Sequence, residues 1–142
     1  MPTVQDFSKK LSIVVRKDLE PWQVLNTVAH ISAYLGNKLG NDFGTGEYFV
    51  TKDGAKHPRN SQYAIVVLSG EQVDLYPLIL EARKQNLFHI NFLREMLETT
   101  NDAEIEQLVG SKTDESLEYL GVGVFGDKDL LKTLTKKLSL WK

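Results

Sequence analysis

The stretch IVVRKDLEPWQVLNTVAHISAYLG, residues 13–36, predicts a buried strand that turns sharply into a two-faced helix. The nearly unbroken apolar run from Leu11 to Val15 suits a strand that is covered on both faces, as in α/β proteins. Proline is favoured at the first helical position, because the backbone N–H that it lacks would have no partner there. We therefore expect the helix to begin near Glu20, with Pro21 in its first turn.

The predicted first helix has an apolar stripe on one side and few charges on the other. On a helical wheel of roughly 100° per residue, the stripe consists of Val24, Val28, Ile31 and Leu35. The opposite face carries Trp22, Asn26, Ala29 and Ala33, with Gln23 and His30 towards one edge. A merely solvated face would carry Lys and Glu. Three interpretations therefore stay open: a further protein layer or a dimer partner, a ligand or catalytic groove, or ordinary surface.

The rest of the chain alternates strand and helix patterns, which predicts an α/β fold. Three further strands are expected at residues 63–69, 87–92 and 119–125. The glycine-rich passage before the second strand is expected to form a hairpin or an ordered loop around Asp53-Gly54. Asn101 is expected to cap a short helix, the preceding residues 94–100 to be irregular, and the last segment to be one amphipathic helix.

Length and composition predict a single soluble domain that covers residues 1–142. The chain has 42% hydrophobic and 25% charged residues, which is ordinary for a globular protein. No apolar run approaches the ~18 residues that suggest a membrane span. The N-terminus lacks the basic start and apolar core of a secretory signal. We therefore expect a cytoplasmic protein with no membrane partner.

The residue inventory predicts neither a metal nor a cofactor. The sequence contains no cysteine, which excludes disulfides, thiolate catalysis and cysteine-based zinc sites. The three histidines lie in separate predicted elements, so no metal-ligand spacing is visible. The pattern Gly121-x-Gly123-x-x-Gly126 matches the glycines of dinucleotide-binding motifs, but no second βαβ strand follows it. We interpret Gly121 and Gly123 as sites of close backbone packing.

The overall charge argues against nucleic acid as a partner. Net charge is −2 and the sequence pI is about 5.9, whereas binding to a nucleic-acid backbone depends mainly on Lys and Arg. RNA is therefore a disfavoured partner, although a local basic patch would reverse that expectation.

Three segments together resemble the type-two peptidyl-tRNA hydrolases over nearly the whole chain. They are the turn Arg16-Lys17-Asp18-Leu19, the first helix as far as His30, and the closing segment LGVGVFGDKDLLKTLTKKLSLW. Those enzymes carry Arg-x-Asp-Leu after the first strand, Gly-Lys and a Gln ahead of the helical histidine, and Ile-Gly-Pro before the last helix. The counterparts here are Arg16, Asp18, Leu19, His30 and residues 124–126.

A bacterial family of unknown function, numbered two thousand among such domains, is a closer match with the same fold. Its pattern is similar to Trp22-Gln23-x-Leu25-Asn26, to Met96-Leu97-Glu98-Thr99 with Asp102 soon after, and to Phe125-Gly126-Asp127. The resemblance implies a small mixed sheet of about four strands flanked by helices, and a protein that is usually a homodimer.

Departures from the hydrolase pattern bear on function. The Gly-Lys pair of the enzymes becomes Trp22-Gln23, and their Gln becomes Thr27. Hydrolysis of a peptidyl-tRNA ester needs an activated water, stabilisation of the tetrahedral oxyanion and a basic track for the RNA. Gln23 cannot replace an ammonium group in stabilising that charge. The shared fold therefore does not imply the same reaction.

The sequence thus predicts a dimer that binds a small ligand or another protein in a groove beside the first helix, and that lacks standard peptidyl-tRNA hydrolase activity. The predicted ligand-binding residues are Asp18, Trp22, Gln23, Asn26 and His30. The alternative is a peptidyl-tRNA hydrolase or related ester hydrolase that uses the same groove, so whether the protein is an enzyme stays open. The catalytic candidates are His30 as the base, with Asn26, Thr99 and Glu95.

Overall fold

The computed structural model describes residues 4–142 and places a five-stranded mixed sheet between helices. The strands are β1 (Lys9–Arg16), β2 (Tyr48–Val50), β3 (Lys56–Pro58), β4 (Ala64–Gly70), β5 (Phe88–Leu93), β6 (Tyr119–Asp127) and β7 (Ser139–Leu140). The α-helices are α1 (Pro21–Leu39), α2 (Gln72–Lys84), α3 (Arg94–Glu98), α4 (Asp102–Gly110) and α5 (Lys128–Leu134). Short 3₁₀ turns occupy Gly40–Asp42 and Asp114–Ser116.

The main sheet has the strand order β5-β6-β1-β4-β7. Strand β1 pairs parallel with β4 and antiparallel with β6, while β5 and β7 form antiparallel edges. Strands β2 and β3 form a separate antiparallel hairpin in the glycine-rich passage, around the expected turn. A parallel neighbour requires a crossover connection, which α1 and this hairpin supply between β1 and β4. The predicted α/β class, with a mixed sheet flanked by helices, is confirmed.

The expected number of about four strands is wrong, because the C-terminus adds a fifth. The predicted continuous terminal helix ends at Leu134, and the Thr135 hydroxyl donates a hydrogen bond to the Leu131 carbonyl at 2.8 Å. Strand β7 then pairs with β4, and the Trp141 N–H donates to the Val67 carbonyl at 3.0 Å. This pairing covers an edge of β4 that would otherwise expose unpaired backbone groups.

One helical detail also differs from expectation. Residues 94–98, expected to be irregular, form α3. Pro77 lies inside α2 without ending it. The predicted cap at Asn101 is confirmed, because its Oδ1 accepts a hydrogen bond from the Ala103 N–H at 2.8 Å. Within residues 4–142, no helix has the length and apolar character needed to cross a membrane.

The sheet separates two apolar cores. One core lies between the sheet and α1 and includes Ile13, Val15, Ile31 and Leu35, all fully buried. The other lies under α2 and α5 and includes Val14, Leu75, Ile79, Val122 and Leu131. Consecutive β1 residues point to opposite faces, so β1 is covered on both sides as its apolar run predicts.

Helix α1 lies unusually close to the sheet because it crosses β6 at two glycines. A Cβ added at Gly121 would lie 2.6 Å from the Thr27 methyl group. One added at Gly123 would overlap the Ile31 Cγ2 methyl and lie 3.0 Å from Leu35 Cδ1. The interpretation of these glycines as close-packing positions is therefore confirmed. Thr27, rather than Val24, is buried at the centre of the helix–sheet contact.

An ion network fixes the start of α3 to the end of β1. Arg94, the first residue of α3, donates to both carboxylate oxygens of Glu118 at 2.8 and 2.9 Å. Arg16 donates to Glu118 at 2.9 Å through Nη1, and to Asp18 at 2.9 and 2.6 Å through Nε and Nη2. The two guanidinium groups lower the pKa of Glu118 to about 2.

Substitution Gly123→Ala should lower the free energy of unfolding by about 1–3 kcal/mol, because the new methyl group forces Ile31 and α1 away from the sheet. Chemical denaturation measures this loss. Gly110→Ala is the matched control, since its Cβ would meet no atom within 4 Å, and it should leave stability unchanged or slightly raised. Equal stabilities of the two variants would contradict the close packing described.

Substitution Glu118→Gln should lower the free energy of unfolding at neutral pH by about 1 kcal/mol. The loss is small because the Glu118 side chain is 43% exposed and solvent screens its ion pairs. Because the folded pKa lies below the ordinary 4.5, the carboxylate contributes fully above about pH 4.5 and loses its contribution as pH falls towards 2. The gap between wild type and variant should therefore narrow in urea titrations at about pH 3. Glu115→Gln, at an exposed position, is the control; a gap that does not change with pH would contradict this assignment.

Candidate functional site

A groove of about 1060 Å³ lies between α1 on one side and α3 and α4 on the other, with the edge strand β5 at its base. Its apolar lining consists of Ala33, Ile90, Phe92, Leu93, Met96, Leu97, Ile105 and Val109. Its polar lining consists of Asn26, His30, Tyr34, Asn37, Thr99, Thr100, Asp102 and Glu106. The groove is therefore mainly apolar at its base and carries amide, hydroxyl and carboxylate groups around it.

Helical spacing explains the side of the groove formed by α1. Asn26, His30, Ala33 and Asn37 recur at intervals of four, three and four residues, so they lie along one flank of the helix. This flank is adjacent to the face that packs on the sheet. The face that the sequence placed opposite the apolar stripe is thus divided: part of it lines the groove, and the rest faces solvent.

The opposite side depends on the sharp turn after β5. Helix α3 begins directly at the end of β5 and lasts five residues. Thr99 then has an extended conformation, and the Asn101 cap starts α4 in a new direction. This turn brings Thr99, Asp102 and Ile105 to the groove, across from α1.

The charge of the lining is negative. Asp102 and Glu106 contribute carboxylates, and among the described residues none of those that line the groove is Lys or Arg. A groove with carboxylates and no cations attracts positively charged groups, accepts neutral ones and repels phosphates. Within the same described range, no group of three or more His, Asp or Glu side chains could hold a metal ion.

His30 lies in the groove with its ring stacked on Phe92. The ring centroids are 5.3 Å apart and the ring planes differ by 22°. The His30 ring forms no hydrogen bond within residues 4–142, so no carboxylate of that range orients it. Catalytic bases are usually oriented by such a partner. Asn26 and Thr99, the other predicted site residues that the structure brings here, supply an amide and a hydroxyl.

Glu95 does not line the groove, although the sequence placed it among the catalytic candidates. Its side chain is buried, and Lys112 Nζ donates to its Oε1 at 2.6 Å. Its Oε2 is buried and has no hydrogen-bond partner among the described residues. The carboxylate is therefore engaged with the segment that follows α4 rather than presented to a ligand.

The remaining predicted ligand-binding residues lie in the turn before α1 and in its first turn, outside the groove lining. Asp18 is paired with Arg16, whose guanidinium lowers the pKa of that carboxyl group. Gln23 Oε1 accepts a hydrogen bond from the Glu20 N–H at 3.0 Å, as in a helix cap. The Trp22 indole N–H donates to Glu20 Oε2 at 2.8 Å, and the side chain is 56% exposed.

Sequence reasoning missed most of the far wall and one end of the groove. Asn37 continues the helical spacing of Asn26 and His30, so the repeat alone could have placed it on the same flank of α1. No sequence pattern linked Ile105 and Glu106 to the groove, because their position depends on the turn between α3 and α4.

Comparison with known proteins gives a family and a fold. The structure is similar to that of a protein of unknown function, Atu0240 from Agrobacterium tumefaciens str. C58, with a TM-score of 0.82. That similarity covers 95% of this chain and 98% of the other at 23% sequence identity, so it concerns the fold alone. No curated protein sequence matches the chain. A family model does match residues 9–142, and the chain therefore belongs to the family of proteins of unknown function DUF2000.

Proposed function

We propose that this protein binds a small ligand in the groove beside α1, and that it lacks standard peptidyl-tRNA hydrolase activity. The observation that carries the proposal is the lining itself: an apolar base, amides on the α1 wall, hydroxyls on both walls, two carboxylates, and no Lys or Arg among the described lining residues. Ligand sites commonly combine a mostly apolar lining with a few polar groups that orient the ligand.

Size and chemistry narrow the class of ligand. The volume of about 1060 Å³ suits a molecule with a substantial apolar body. Phe92, Met96 and Leu97 supply apolar contact, while Asn26 and Thr99 supply hydrogen bonds. Asp102 and Glu106 favour a neutral or cationic polar end over an anionic one. We therefore infer an uncharged or cationic molecule with an apolar body.

The same charges weigh against a tRNA substrate in this groove. A peptidyl-tRNA brings phosphates, and its hydrolysis requires groups that stabilise a developing oxyanion. Gln23, which takes the place of the lysine in the hydrolase pattern, is neutral and its amide oxygen caps the start of α1. Neither the groove lining nor this cap supplies the positive charge that the reaction uses.

One observation favours a second candidate function, an ester hydrolase that uses the same groove. Asn26, His30 and Thr99, three of the four predicted catalytic residues, all line it. In this alternative His30 is the base, and an uncharged ester is the substrate class consistent with the lining. This alternative requires the wild type to hydrolyse an uncharged ester and His30→Ala to lose that turnover. A protein that only binds its ligand hydrolyses the ester in neither form.

We also propose that the fold is related to that of the type-two peptidyl-tRNA hydrolases and that the protein acts in the cytoplasm. Support for the first point comes from Arg16, Asp18 and His30, which lie at the end of β1, in the turn after it and in the helix that follows. Support for the second is the ordinary globular composition without cysteine.

Two fluorescent probes with the same aromatic skeleton test the proposed groove. N-phenyl-1-naphthylamine is neutral, and 1-anilinonaphthalene-8-sulfonate adds a sulfonate. The neutral probe should bind with increased emission and at least about tenfold more tightly than the sulfonate, because Asp102 and Glu106 repel the anion. Stronger binding of the sulfonate would contradict the proposed ligand class.

Two variants on α4 locate the binding. Ile105 lines the groove, whereas Leu108 on the same helix is 42% exposed and does not. Ile105→Trp should narrow the groove and weaken binding of the neutral probe by at least about tenfold, while Leu108→Trp should leave that binding unchanged. Equal affinities for the two variants would place the probe elsewhere and overturn the proposed site.

A further inference from the structure

Strand β5 is an open edge of the main sheet. It stands first in the order β5-β6-β1-β4-β7, so within residues 4–142 it pairs with β6 alone. In an edge strand every second residue directs its backbone N–H and C=O groups away from the neighbouring strand. Over the same described range, the residues of β5 form no backbone hydrogen bond outside their ladder with β6. A row of backbone donors and acceptors is therefore free along this edge.

Strand β5 lacks most of the features that protect edge strands from pairing with another chain. Protected edges are usually very short, carry Lys or Pro, or are twisted away by a bulge. The opposite edge strand, β7, has only two residues. Strand β5 has six residues without Lys, Arg or Pro, and its register shift comes at its end, between Phe92 and Leu93. Because residues 88–91 are exposed or partly exposed, the regular part of the edge is accessible.

This free edge lies at the base of the groove. Ile90 and Phe92 line the groove from β5, while α1 forms one wall and α4 forms part of the other. None of the nine residues of α4 is buried, so this helix does not close the groove. A single extended segment fits alongside β5 between the two helices. A second sheet with its own covering helices would collide with them.

Helix α4 makes one wall of the groove negative. It carries Asp102, Glu104 and Glu106 and has no Lys or Arg. Asp102 and Glu106 are one helical turn apart, and both line the groove. Ile105 on the same helix also lines it and adds apolar contact. This wall is complementary to a segment that carries basic and apolar side chains.

We propose that the ligand of the groove is a segment of another protein, which adds to β5 as an extended strand and contributes at least one Lys or Arg. This inference rests on the proposed function, because it names the occupant of the same groove. A row of free backbone groups is matched by another extended backbone, which repeats its donors and acceptors about every 6.8 Å along one edge. Main-chain hydrogen bonds then supply affinity, and alternate side chains supply specificity.

The alternation of β5 determines which side chains of the added strand enter the groove. Ile90 and Phe92 point to the face of the sheet that α1 covers. Every second side chain of an added strand points the same way, because the pleat continues across the sheet. Those side chains lie between Asn26 on α1 and Glu106 on α4. We therefore expect apolar and basic residues at every second position of the segment.

A synthetic peptide with this pattern tests the inference. The probe is acetyl-Thr-Val-Thr-Lys-Thr-Val-Thr-amide, which places Val and Lys on one face and has uncharged ends. Isothermal titration calorimetry with the full chain should show binding, and the peptide should displace N-phenyl-1-naphthylamine. Replacing the lysine of the peptide by glutamate should weaken binding by at least about tenfold, because the wall formed by α4 is negative.

N-methylation of the peptide distinguishes strand addition from recognition of side chains alone. One version is methylated on the nitrogens of Val and Lys, and the other on the nitrogens of the Thr residues between them, so opposite edges of the same strand are blocked. Only the edge that faces β5 needs its N–H groups. The two versions should therefore differ in affinity by at least about tenfold, the cost of losing two or three hydrogen bonds. Binding should also slow amide hydrogen exchange in residues 88–93.

Two variants of α4 test the charge complementarity. Glu106→Gln combined with Asp102→Asn removes both carboxylates from the lining and should weaken binding of the lysine peptide by at least about fivefold. Glu104→Gln is the matched control, because Glu104 is exposed on the same helix and does not line the groove. Its affinity should stay within about twofold of the wild type. Equal losses in the two variants would contradict recognition of the lysine in the groove.

The two proposals fail in different ways. Binding of N-phenyl-1-naphthylamine without binding of the peptide would overturn strand addition and leave the proposed small-ligand site intact. Equal affinities of the two methylated peptides would have the same effect. If neither the neutral probe nor the peptide binds, both proposals are overturned. Self-association of the chain that protects residues 88–93 without any peptide would also overturn the inference, and would assign the edge to a second copy.

Discussion

The close contact between α1 and β6 is the constraint on which the rest of the structure depends. Gly121 and Gly123 remove two side chains from the middle of the sheet, and Thr27 and Ile31 occupy the space. The helix axis therefore lies nearer the sheet than ordinary side chains would allow. This position determines which flank of α1 borders β5 and which residues are left facing outward.

Helix α1 consequently has three faces with different chemistry. Its inner face, with Ile31 and Leu35, is apolar and fully buried. The flank with Asn26 and His30 borders the groove and offers hydrogen bonds. The outward face, with Trp22 and Leu25, is uncharged and exposed. A helix with so little charge on any side is typical of one that is covered on more than one side, which is consistent with a ligand in the groove beside it.

The groove also depends on ion pairs that fix the position of α3 in its far wall. Arg94 begins α3 and shares the carboxylate of Glu118 with Arg16 from the end of β1. Because charged hydrogen bonds of this kind are short and directional, they hold α3 against the strand ends. The positive charges of Arg94 and Arg16 are thereby used within the protein, and the lining itself stays without Lys or Arg among the described residues. Structure and proposed ligand chemistry are consistent on this point.

Short sequence patterns correctly predicted the elements that depend only on neighbouring residues. The strand before Arg16, the proline at the start of α1, the cap at Asn101 and the close packing at Gly121 and Gly123 all follow from single residues or short periodic runs. Helix α3 was missed because five residues are too few for a periodic pattern, and β7 because two residues carry no alternation. The groove's far wall and the burial of Glu95 depend on tertiary packing, which spacing along the chain does not encode.

Turnover of a purified peptidyl-tRNA at low salt, beside an authentic type-two hydrolase, tests the central claim most directly. The claim is that the groove accepts an uncharged or cationic apolar molecule instead of a polyanionic substrate. Low salt favours electrostatic association, so it gives tRNA the best opportunity to bind. The account predicts no release of tRNA above background and no retention of tRNA by the protein. Turnover within about tenfold of the authentic enzyme would contradict it, and would show that the missing lysine is replaced by another residue.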